Sequence, residues 1–173
     1  MPRIAILGTL ATLAIGTAMS ATFPQAAPRA LQAEDDGYQE LLDAATAPLH
    51  EVLGDRVVVE VERLDCLGRW AFLMGNMRTP GGERPDFRGT RFAEHAAAGS
   101  MSDLYVALLR RDPEGGAGEG AEPATDAADG GVPVDCLELP GEWVLLDHAI
   151  GPGDVAWLDW PARHAAPRAV FGF

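Results

Sequence analysis

No lysine occurs anywhere in the 173-residue chain. Its 13 positive charges are all arginine, they are set against 26 carboxylates, and the formal net charge of −13 comes without any basic cluster. Nucleic-acid affinity rests on phosphate contacts and attraction to anionic lipid on a polybasic segment, so charge excludes both partners. Arginine in place of every lysine, beside abundant alanine, glycine and proline, is the composition of a GC-rich coding sequence. No mechanism is read from it. Serine is nearly as scarce: past residue 20 only Ser100 and Ser102 occur, in a Gly-Ser-Met-Ser-Asp setting that is not the elbow of a hydrolase nucleophile. No G-x-G-x-x-G or phosphate loop is present. His50, His95, His148 and His164 are scattered without metal-ligand spacing, so neither metal nor cofactor is expected.

Cysteine is limited to Cys66 and Cys136. In an oxidising compartment two cysteines without a third favour one disulfide, and two buried reduced thiols are the alternative. Without a C-x-x-C pair, redox catalysis has no support.

What is present begins with a targeting segment. Arg3 precedes the apolar run Ile4 to Gly16, and Ala18-Met19-Ser20 supplies small residues where a signal peptidase reads, which predicts residues 1–20 as a signal peptide cleaved after Ser20. An uncleaved anchor helix is the alternative, disfavoured by the shortness of the run. No later segment reaches the ~18 apolar residues of a spanning helix, so no membrane insertion is expected after cleavage. Export places the chain in the periplasm or outside the cell. Residues 21–34 read as a flexible lead-in to a single domain, 35–173. Within that domain residues 113–133 carry six Gly, three Pro and five acidic residues, with Val132 as the one sizeable apolar side chain. Such a segment cannot offset the entropy of ordering it and reads as a disordered, solvated insertion. Its acids have the chemistry for calcium but no EF-hand or nonapeptide spacing.

The rest carries clear periodicities. Tyr38, Leu41, Ala45, Leu49 and Val52 recur at helical spacing, with Asp36 as the expected N-cap, Gln39 three residues on and Gly54 at the stop. Pro48 predicts a kink or the start of a second short helix. Val57, Val59 and Val61 then alternate with Glu60 and Glu62, and Trp70, Phe72 and Met74 with Ala71 and Leu73, a hairpin turning at Leu67-Gly68. Arg91 to Ala98 reads as a short helix capped by Thr90, Leu104 to Leu109 as a third strand apolar on both faces, and Glu142 to Ile150 as a fourth. Asp159 is placed to cap a final short helix carrying Pro161 in its first turn. The expected class is α+β: a curved antiparallel sheet of about four strands packed on a kinked N-terminal helix, closed by a short C-terminal helix. This order resembles the cystatin-like and nuclear-transport-factor-2-like α+β folds in pattern alone.

A second resemblance lies in short motifs. Trp70-Ala71-Phe72, Ala107-Leu108-Leu109-Arg110, and Ile150-Gly151-Pro152-Gly153-Asp154-Val155 leading into Trp160 and Ala166-Pro167-Arg168-Ala169 resemble a group of uncharacterised exported proteins of Gram-negative bacteria. The resemblance covers most of the chain from Tyr38 on, implies export and a common fold, and carries over no catalytic residue. The acidic insertion and the two cysteines depart from that pattern.

The densest chemistry lies between His148 and His164, where Asp154, Trp157, Asp159 and Trp160 intervene. Imidazole, carboxylate and indole suit an acid/base pocket or a stacking surface for a ligand. Each also has a structural role: the acids in turns and caps, Trp157 and Trp160 in the core, and His148 on the parity of Val144, Leu146 and Ile150. The structural roles account for all of them, so the expected function is a non-catalytic envelope protein, an accessory or binding module for a protein, glycan or small ligand. The alternative is a cup-shaped enzyme or small-ligand binder with its pocket near His148 and Asp154.

Overall fold

The computed structural model describes residues 27–112, 135–152 and 155–173. The expected leader, the acidic insertion and Asp154 lie outside the described residues. The elements are β1 (Arg29–Ala30), α1 (Tyr38–Leu53), β2 (Val58–Leu67), β3 (Trp70–Arg78), α2 (Ala93–Ala97), β4 (Leu104–Asp112), β5 (Glu142–Ile150) and α3 (Trp160–His164), followed by a 3-10 turn, Arg168–Phe171. The strands form one antiparallel sheet in the order β1-β2-β3-β4-β5, so each strand lies beside its neighbours in sequence. This is the expected α+β class, with five strands where about four were expected. The additional one is β1, whose Arg29 and Ala30 pair with Cys66 and Asp65 inside the segment read as lead-in. Two residues are too few to show a period.

α1 also departs from the expected kinked helix: it runs through Pro48 as one element of 16 residues, and no second short helix forms. Leu41, Ala45 and Leu49, four apart, are fully buried against β4 and β5, and this packing holds the helix across the bond that Pro48 removes. The buried Tyr105 hydroxyl donates to the Ala45 carbonyl at 2.6 Å, one residue from the site of that lost bond. Asp36 does not cap. Gly37 holds the N-cap position at φ 85°, a left-handed conformation that glycine adopts freely, and Gln39 donates to Asp43 at 2.7 Å instead.

Two bulges set which side chains face which way. In β2, Val61 pairs with Gly75 and Arg63 with Met74, leaving Glu62 unpaired; in β5, Leu145 pairs with Leu109 and Asp147 with Leu108, leaving Leu146 unpaired. Each extra residue reverses the alternation beyond it and bends the strand. Beside the first bulge β2 and β3 approach so closely that a Cβ on Gly75 would stand 2.5 Å from the Glu60 carbonyl oxygen, which explains a glycine inside a strand.

The central strands are apolar on both faces, and both faces are covered. Toward α1 point Leu64, Leu73, Tyr105, Ala107 and Leu109, meeting Leu41, Ala45 and Leu49. Toward the opposite side point Phe72, Val106 and Leu108, which meet Trp157, Trp160, Val170 and Phe171 from the C-terminal segment. Phe72 is the hub of this second core, 4.9 Å from the ring of Phe171 and edge-on to Trp160 at 6.4 Å. The result is three layers: helix, sheet and a C-terminal cover.

Arg111 near the end of β4 fixes the chain that leads into β5. It is only 6% exposed, its Nη1 donates to the carbonyls of Leu137 at 2.8 Å and Leu139 at 2.5 Å, and its guanidinium lies 4.9 Å from the centre of the Trp143 ring. Arg111→Met keeps the length and removes the donors, so the expected cost is about 2–3 kcal/mol, the penalty of stranding carbonyls that a charged donor served. Urea denaturation of the variant beside the parent chain tests this, and an unchanged midpoint would show that the bonds contribute nothing net.

Candidate functional site

The stretch from His148 to His164 is built from the end of β5, the turn after it and α3, and the sheet divides it. His148 lies opposite Ala107 on the α1 side, with its ring 6.5 Å from that of Tyr105. Its expected parity with Val144 and Leu146 does not hold. The bulge at Leu146 puts His148 and Ile150 on the face of Leu145 and Trp143, whereas Val144 is 39% exposed and Leu146 packs into the opposite core. Trp157 and Trp160, considered as ligand contacts, lie on that opposite side, buried around Phe72. Imidazole and indoles therefore do not converge. Asp154 lies outside the described residues.

Burial holds the His148 imidazole below its ordinary value of 6.5, outweighing the opposing pull of the Asp147 carboxylate, while Arg91 adds a smaller push downward and Glu51 a still smaller one upward. The neutral ring is therefore the folded form near neutral pH. Since the unfolded chain takes up the proton first as pH falls, the contribution of His148 is complete above about 6.5 and is lost as pH falls from there toward the lowered folded value. His148→Gln should flatten this part of the acid limb of stability. Melting temperatures of both proteins between about pH 7 and about pH 5 are the check; parallel curves would remove His148 as the source.

The polar centre of the stretch is Asp147, which sequence reasoning passed over. Its Oδ1 accepts the backbone N–H of His148 at 2.9 Å, and its Oδ2 accepts Arg163 Nη1 at 2.6 Å and faces His164 Nε2 at 2.9 Å. Asp159 makes no side-chain cap on α3, contrary to expectation. Its carboxylate pairs with Arg163 one turn on, at 2.5 Å. Because a single guanidinium spans Asp147 and Asp159, the helix is tied to the strand rather than capped. The Asp159–Arg163 spacing of four residues is legible in the sequence; the reach of Asp147 to α3 is a product of tertiary structure.

Cys66 on β2 and Cys136 in the segment before β5 stand at disulfide distance, with Cα atoms 6.1 Å apart and both residues buried. Beside them Arg29 pairs with Asp135 and, at 2.6 Å, with Asp35, so β1, the start of α1 and the approach to β5 meet at one corner. His50 borders a shallow acidic hollow on α1 with Asp43, Glu51 and Asp55. Among the described residues no group of three or more His, Cys, Asp or Glu side chains is placed to hold a metal, and no helix is long and apolar enough to cross a membrane. No protein-family model, curated protein or solved structure matches the chain.

Proposed function

We propose that the chain is an exported, non-catalytic protein of the bacterial cell envelope, an accessory or binding module that contacts a protein, glycan or small ligand. One observation carries the reading: the chain covers both faces of its own sheet. A cup-shaped binder keeps one face open as the floor of its pocket, whereas here Tyr105, Ala107 and Leu109 lie under α1 and Phe72, Val106 and Leu108 under the C-terminal segment. Of the described carboxylates in the candidate stretch, Asp147 and Asp159 are engaged by Arg163 and His164. Among the described residues, the outer surface and the sheet edges remain for recognition.

Export rests on the Ile4 to Gly16 run and the small residues after it. Intact-mass measurement on periplasmic material should find a chain beginning at Ala21, and a mass that retains the first 20 residues would refute cleavage after Ser20. The non-catalytic reading is tested by a panel of small esters, glycosides and phosphate esters with the parent chain and His148→Gln. No turnover is expected from either. Turnover by the parent that disappears in a His148→Gln protein of unchanged melting temperature would establish the cup-shaped enzyme instead.

A further inference from the structure

β1 covers only one end of β2. Arg29 and Ala30 pair with Cys66 and Asp65, the Leu31 N–H donates to the Leu64 carbonyl at 2.8 Å, and the chain then leaves the edge through the Gln32–Asp35 turn. Among the described residues no strand lies outside Val58–Arg63, so that half of β2 presents unpaired backbone. The two sides of this open edge differ in chemistry. On the α1 side, where β1 stops, a cavity of about 230 Å³ is lined by Leu31, Tyr38, Val61 and Leu64 and by parts of the polar residues Glu62 and Arg63. On the other side stand Glu60, its side chain 70% exposed, and Glu62, with Val58 beside them. Neighbouring cations are engaged: Arg63 with Asp65 and the Phe171 carbonyl, and Arg78 with Asp103, reaching Glu60 only at 3.5 Å.

We infer that the open edge of β2 receives an extended segment of a partner protein as an added strand, in which arginine or lysine alternates with apolar residues. This rests on the binding-module reading and names the partner's chemistry. The edge backbone supplies the hydrogen bonds and alternate side chains supply the selectivity: one set lies over Val59 and Val61 toward the cavity, the other meets Glu60 and Glu62 as opposite-charge cross-strand pairs. Charge disfavours a second copy as the occupant, because it would bring its own −13 to an acidic edge. The bulge at Glu62 interrupts the ladder and confines the added strand to a short segment. The opposite edge of the sheet is less open, since the Asp147 carboxylate takes the His148 N–H and Arg163 and His164 lean onto it.

The experiment measures binding of fluorescent synthetic peptides to the full chain by anisotropy, with amide hydrogen exchange to locate them. The probes are a peptide of alternating valine and arginine, one of the same composition with the arginines grouped at one end, and one of alternating valine and glutamate. The alternating arginine peptide should bind best and slow exchange in Val58–Arg63. Glu60→Arg with Glu62→Arg changes two exposed side chains, at the cost of the Asn76 bond to Glu62 and the Arg78 pairing with Glu60, and should lower melting only slightly, weaken that peptide on the order of tenfold or more, and gain the glutamate peptide. Equal binding of the grouped peptide, undiminished binding by the double variant, or protection confined to β5 would overturn the inference and leave the binding-module reading standing. Slowed exchange at Val58–Arg63 in the free chain that is lost on dilution would assign the edge to a second copy and overturn it as well. The binding-module reading fails on a different result, the His148-dependent turnover described above.

Discussion

Trp160→Ala is expected to lower the free energy of unfolding by about 3–5 kcal/mol. Trp160 opens α3 yet is only 2% exposed, and its ring stands edge-on to Phe72 among Val106, Leu108, Val170 and Phe171. Truncation removes the more deeply buried of the two tryptophans of the second core. The neighbours cannot refill the space, because Phe72, Val106 and Leu108 are held by the pairing of β3 with β4 and the cover has only a short helix and a 3-10 turn to move. For a chain of this length the loss corresponds to a fall in melting temperature of roughly 10 °C. Leu158→Ser, two residues away at 58% exposure, should change stability by less than about 0.5 kcal/mol. If Trp160→Ala melts like Leu158→Ser, the C-terminal segment is not a core layer, and the argument that both faces are covered collapses with it.

Removing the Cys66–Cys136 bridge, by reduction or by Cys66→Ala with Cys136→Ala, should cost about 4 kcal/mol. The two residues are 70 apart, and closing so long a loop restricts the unfolded chain far more than the folded one. The corner keeps other ties: Arg29 with Asp35 and Asp135, and Arg111 with the carbonyls of Leu137 and Leu139. The reduced protein is therefore expected to fold and to unfold at lower denaturant. Labelling the unreduced, unfolded chain should find no free thiol. A denaturation midpoint that ignores the reductant would show that the bridge adds no stability.

The helix and long strands are legible because each repeats its period several times: α1 through Tyr38, Leu41, Ala45 and Leu49, β3 through the alternation from Trp70 to Met74, and β5 from Glu142 to Ile150. The doubly apolar run Leu104 to Leu109 already demands cover on both sides, although which segment supplies it is not written locally. The bulges are invisible for a different reason. One added residue, Glu62 or Leu146, changes no composition and only reverses the alternation, so the sequence pattern sets His148 beside Val144 and Leu146 where the fold sets it beside Trp143 and Leu145. The caps failed because each acid had a competitor: Gly37 took the N-cap position at α1, and Arg163 took Asp159. Of the candidate site, the burial of Trp160 was within reach of pattern, while Asp147 became central only through contacts with residues 16 and 17 positions later.

The position of the C-terminal cover in the chain governs how the protein is assembled. β1 to β5 and α1 all precede it, so a chain emerging in order can complete its helix-side layer while Phe72, Val106 and Leu108 still face water. Until residues 157–171 arrive, the half-built protein carries an apolar sheet face, the feature by which incomplete chains associate with one another and with chaperones. Chains cut short before Trp157 would therefore leave the soluble fraction, where chains cut after Phe171 would remain.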